Sequence, residues 1–156
     1  MEQKILVAFD DSQNTMRAVE FIAGSFTEEH KITLLSIIPD TAALCDMNSP
    51  SLTPHFISHQ VTFCALEDQK RELVNEALQK AKELLLKAGF EEKNITMKVE
   101  TKKKGIARDI IDEAHSGYNT IVLGRRGLSG IREFVLGSVS QKVLHSARDM
   151  SVIMVD

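Results

Sequence analysis

The chain predicts an α/β domain: a doubly wound five-stranded parallel sheet, order 3-2-1-4-5, with helices on both faces. Three observations carry that expectation. Five short runs rich in β-branched and aliphatic residues alternate with four helical patterns along 156 residues, and such alternation builds a parallel sheet. Several of the runs are nearly continuous apolar stretches, as strands covered on both faces read. Right-handed crossovers then favour the doubly wound arrangement, with the chain turning back between strands 1 and 4. Ligands of such sheets sit outside the carboxyl ends of the strands at that switch point.

The strands are expected at KILVAF (4–9), KITLLSII (31–38), NITMKVE (94–100), TIVLG (120–124) and SVIMVD (151–156). The first helix follows Ser12, an N-cap type, and repeats Met16, Val19, Ile22, Ala23 and Phe26 at helical spacing. The clearest helix is expected over 67–88, with Leu73, Val74, Ala77, Leu78, Ala81, Leu84, Leu85 and Ala88 on one face and Gly89 as its stop. A third starts near Gly105 and buries Ile106, Ala107, Ile110, Ile111 and Ala114. A fourth opens at Gly137-Ser138 and buries Val139, Val143, Leu144 and Ala147.

The totals set bounds. Hydrophobic residues make up 43% and charged residues 26%, and the formal net charge is −3. That is ordinary for a globular domain and speaks against nucleic acid or anionic lipid as a partner. No apolar run approaches a membrane span. The start, MEQKILVAFDDS, lacks the pattern of a secretory signal, so the cytoplasm is the expected compartment. Residues 1–156 read as one domain.

Residues 39–66 fit no element. They hold all three prolines and both cysteines, Cys45 and Cys64, and exceed an ordinary connection, so a flap, a partner surface or a long flexible excursion is expected. Two cysteines do not make a disulfide framework. His55 and His59 lie four apart and, with Cys45 and Cys64, could hold zinc, but the spacing matches no standard module. The expectation is no metal.

The chemistry-bearing stretch is GRRGLSGIREFVLGSVSQ, from Gly124. It is no P-loop, because no glycine is followed by lysine, and its spacing is GxxGxxG rather than GxGxxG. Its glycines nevertheless let backbone approach a ligand. Gly137-Ser138 opens a helix whose free N–H groups attract anions, although Ser138 to Gln141 also matches a capping box. Arg125 and Arg126 add charge suited to phosphate. At a strand end, Asp10 reads as a ribose acceptor, helped by Mg²⁺, and Asp11 as a cap. Lys102, Lys103 and Lys104 read as a solvated charge run.

Gly124, Gly127, Gly137 and Ser138 spell G-x2-G-x9-G-[ST], which resembles the nucleotide-binding motif of the universal stress protein family. The likeness spans almost the whole chain, from VAFDDS through LLSII, GIARDIIDEA and TIVLGRRGLSGIREFVLGSVSQKVL to SVIMVD. It implies a site for ATP, or ADP or AMP. Asp10 and Ile37 would border ribose and adenine, with Ala8 nearby. Leu123, Gly124, Arg126 and Gly127 would line one side, and Gly137, Ser138, Val139 and Ser140 would hold the phosphates. The resemblance also implies a homodimer through the last strand, 151–156. Arg125 departs from the pattern, standing where a small residue is frequent.

No nucleophile–base pair is legible, so the expectation is a nucleotide-responsive binding and signalling module in stress response rather than a fast enzyme. Slow ATP hydrolysis stays open, since phosphoryl transfer works mainly by positioning and charge. Two alternatives stand beside it: a slow hydrolase or phosphotransferase, and an interaction protein that works through 39–66 without nucleotide.

Overall fold

The computed structural model describes residues 1–9, 13–124 and 137–156. Five strands, β1 (Lys4–Ala8), β2 (Lys31–Ile38), β3 (Ile95–Thr101), β4 (Thr120–Gly124) and β5 (Ser151–Val155), form one sheet in the order β3-β2-β1-β4-β5. Every pairing is parallel, and Val7 of β1 lies between Leu34 of β2 and Val122 of β4. The expected class and order are observed.

Among the described residues five α-helices, α1 (Gln13–Ser25), α2 (Ala42–Cys45), α3 (Pro54–Lys87), α4 (Ile106–Ala114) and α5 (Ser138–Ser146), and a 3-10 turn at Glu92–Asn94 complete the order. Side chains alternate across the strands, so the sheet feeds two cores. Ile5, Val7, Ile32 and Leu34 pack with Val19 and Ile22 of α1 and with Leu78, Ala81 and Leu85 of α3. Leu6, Leu35, Ile121 and Leu123 pack with Ile110 and Ala114 of α4 and Val143 of α5. That two-sided burial explains the unbroken apolar runs of the central strands.

Three helix expectations are corrected. α3 begins at Pro54, well before residue 67, because Thr53 supplies an N-cap whose hydroxyl accepts from the Phe56 N–H at 3.2 Å and proline suits the first helical position. Ile106 and Leu144 are exposed rather than buried, because Ile106 is only the first residue of α4 and the adjacent Val143 holds the inward position on α5. Ser138 is the first residue of α5 and Gly137 its cap, so the Ser138–Gln141 capping box is not the one formed. The Ser12 cap lies outside the described residues.

The excursion 39–66 is also reordered. Its second part is the beginning of α3, and its first part is a strap over 39–53 carrying the single turn α2. Cys45 and Cys64 form a disulfide between α2 and α3. The candidate zinc set is thereby broken, since both thiolates it needs are spent on each other. His55 and His59 instead stack edge to face on α3 with ring centroids 4.4 Å apart. No cluster of metal-ligating side chains occurs among the described residues.

Element lengths fix where α3 begins relative to the sheet. At 1.5 Å per residue the 34 residues of α3 span about 51 Å, whereas the eight residues of β2 span about 26 Å. α3 follows β2 and runs back along the sheet, so its beginning overhangs the carboxyl ends of the strands.

Candidate functional site

Under that overhang lies a crevice of about 510 Å³, a size suited to a small ligand. Its floor is the carboxyl ends of three strands: Ala8 and Phe9 after β1, Ile37 and Ile38 ending β2, and Leu123 and Gly124 ending β4. The site is therefore at the switch between β1 and β4, where the chain order reverses. Phe9 is fixed by its N–H, which donates to the Leu35 carbonyl at 2.7 Å.

One end of the crevice is built by the start of α5. Gly137, Ser138, Val139 and Ser140 line it beside Gly124. The buried Ser140 hydroxyl donates to the Gly124 carbonyl at 3.1 Å, tying the first turn of α5 to the end of β4. The Gln141 N–H is already taken by the Gly137 carbonyl. The N–H groups ahead of it have no place in the helix ladder, which gives this end a positive bias.

The opposite end is built by α3, and sequence reasoning missed it. Glu67, Lys70, Arg71 and Val74 line the crevice. Glu67 is buried, and its carboxylate takes the Lys70 ammonium at 2.9 Å. Arg71 Nη2 donates to Thr41 Oγ1 at 3.2 Å, joining α3 to the strap. The one local signal for this wall is Thr53-Pro54, a helix start that places residues 67–74 midway along a long helix.

α4 supplies an apolar side wall through Ile106 and Ile110. Its start is set by Asp109, whose carboxylate accepts from the backbone N–H groups of Lys103 at 2.7 Å and Lys104 at 3.0 Å. Those bonds, the Lys103 one foremost, hold the Asp109 carboxyl below its ordinary range. The lysine run is otherwise exposed, and Lys104 pairs with Asp112 at 2.8 Å.

Of the site residues expected from sequence, Ala8, Ile37, Leu123, Gly124, Gly137, Ser138, Val139 and Ser140 come together on this one crevice. Asp10, Arg126 and Gly127 lie outside the described residues, as do Asp11 and Arg125.

An open α/β sheet with a crevice at its switch point is an architecture in which ligands bind outside the carboxyl ends of the strands. Comparison with known proteins narrows it. The Universal stress protein family model matches residues 1–155, and the chain belongs to that family. It is 30% identical over 144 residues to the universal stress protein YxiE of Bacillus subtilis, covering 92% of each chain. It is 27% identical over 154 residues to a universal stress protein of Mycolicibacterium smegmatis, where it covers 98% of this chain but only 48% of that relative's length.

Solved structures share the fold. The protein MJ0577 superposes with a TM-score of 0.74 at 20% identity, covering 98% of this chain and 94% of its own. UspA from Lactobacillus plantarum gives 0.68 at 21%, covering 99% and 97%. A universal stress protein solved in complex with cAMP gives 0.62 at 18%, covering 97% and 94%. No helix among the described residues is long and apolar enough to cross a membrane.

Proposed function

We propose that the chain, as one domain over 1–156, binds an adenine nucleotide in this crevice and acts as a nucleotide-responsive module rather than a fast enzyme. One observation carries the reading. The glycine end of β4 and the glycine-serine start of α5 meet on a crevice whose remaining floor is apolar. Phosphate suits the first, because N–H groups at a helix start favour anions. A purine suits the second. A family fold solved with cAMP supports the ligand class. In this reading Asp10 takes the ribose, and Mg²⁺, which favours carboxylate and phosphate oxygens, would help hold the nucleotide. Arg126 and Gly127 line one side of the nucleotide, and Gly137, Ser138, Val139 and Ser140 hold the phosphates. The compartment is the cytoplasm.

The test is to denature freshly purified protein and run the supernatant on an ion-exchange column calibrated with adenine nucleotides. ATP at close to one per chain is expected, and a predominance of ADP would move the reading toward turnover. A Gly127→Val variant should fold yet lose ATP, because a branched side chain blocks backbone approach. If no nucleotide elutes and ATP does not raise the Tm of the parent protein, the reading falls.

The same reading makes the protein a homodimer through β5. That strand is an edge, half-buried along Val152–Val155, and a bare apolar edge is a liability that pairing removes. Sedimentation as a monomer at micromolar concentration would rule the dimer out.

A further inference from the structure

The strap over 39–53 has little apolar packing to hold it. α2 is four residues long with none buried, and an isolated turn of that length does not persist alone in water. Among the described residues, its side-chain and covalent links to the rest of the chain go to α3. Gln60 Nε2 donates to the carbonyls of Leu44 and Met47, Arg71 donates to Thr41, and Cys45 is bonded to Cys64. Among these the disulfide is the one that solvent cannot compete away. Both cysteines are only half-buried, so a small thiol can reach them. The strap begins at Pro39 and is gripped by Arg71, and both residues line the crevice.

We infer that Cys45–Cys64 is a reversible thiol–disulfide site that sets the closure of the strap on the crevice, a role whose nucleotide half rests on the reading above. With the bond formed, every state in which the strap has left α3 loses chain entropy, which favours the docked strap. Once it is broken, the hydrogen bonds from Gln60 and Arg71 compete directly with water.

Reduction consumes two molecules of a small thiol. The thiolate of the first attacks one sulfur and breaks the S–S bond, leaving a mixed disulfide and one free cysteine thiolate. The second thiol attacks the mixed disulfide and departs as the symmetrical small disulfide. Two electrons and two protons pass to the protein, which ends with two thiols. Oxidation by that small disulfide runs the same steps backwards. Where a thiol pool keeps proteins reduced, bonds of this kind act as sensors rather than staples.

The experiment compares full-length oxidised protein, protein reduced with dithiothreitol, and the Cys45→Ser/Cys64→Ser double variant, whose fold is checked by circular dichroism. Chymotrypsin should cut at Met47 or Leu52 faster in the reduced protein and the double variant than in the oxidised protein. ATP, measured by calorimetry, should bind the oxidised form about tenfold more tightly, the scale of an ordinary coupling between sites. By linkage, saturating ATP should then make the disulfide harder to reduce by the same factor.

Two free thiols per chain after equilibration with excess oxidised glutathione would overturn the proposal. So would equal cleavage in all forms. Faster cleavage with unchanged ATP affinity would reduce the bond to a staple and overturn its control of the crevice. If ATP binds no form, the nucleotide reading fails, and cleavage alone decides whether the bond holds the strap.

Discussion

The two halves of α3 have the same backbone and opposite surroundings. From Val74 onward the helix buries Leu78, Ala81 and Leu85 against β2, β3 and α1. Before that point Ile57, Val61, Phe63 and Leu66 are all exposed, and the buried residue is a carboxylate, Glu67. One half is held by the sheet, the other by a cap, a disulfide and polar contacts to the strap. A helix that outgrows its sheet can thus serve two ends: its covered part stabilises the fold, and its overhang forms a wall of the crevice.

The largest effect should come from cutting into the covered half. Leu85 is fully buried, so Leu85→Ala should cost about 3 kcal/mol of unfolding free energy, through lost burial and the cavity left behind. The matched change in the overhang, Leu66→Ala, removes the same atoms from a side chain that is 52% exposed and should stay within about 0.5 kcal/mol. Urea titrations of the two variants measure the contrast. Equal costs would break the comparison, because Leu66 would then have to be covered in solution by something that the single chain does not contain.

The contrast also explains what could be read from the sequence. Strand runs were legible because both faces of the sheet are covered, leaving few polar residues to blur Ile5–Val7 or Ile121–Leu123. The stripe from Leu78 to Leu85 was legible for the same reason. Residues 54–66 carry apolar side chains on every side of the helix, so no stripe forms, and three nearby prolines suggested a loop instead. Thr53-Pro54 was the local sign that a helix begins there. Ile106 and Leu144 were placed inside because periodicity reports the apolar face of a helix, not that Ile106 stands at its very start or that Val143 takes the inward position beside Leu144.

The site divides along similar lines. Gly124 and Gly137–Ser140 were singled out because backbone approach demands glycine and a helix start at fixed spacing, and they line the crevice. Glu67 and Arg71 were not, since they reach the crevice only through the path of α3 across the sheet, which no spacing in the chain encodes. The pairing of Cys45 with Cys64 was hidden for the same reason: it depends on α2 folding back onto a part of α3 that read as loop.

The smallest effect should sharpen the boundary between the two halves. Thr53→Ala removes the hydroxyl that accepts from the Phe56 N–H and should cost about 1 kcal/mol at the start of the helix. If the overhang opens independently of the core, that loss belongs to a local unfolding event. Amides of residues 57–62 would then exchange several-fold faster, while the denaturant midpoint and the exchange of amides near Leu85 stay where they were. Should the midpoint fall by the full amount instead, the overhang would unfold only with the core. The wall of the crevice would then be as rigid as the sheet beneath it, and any opening of the site would have to come from the strap and not from α3.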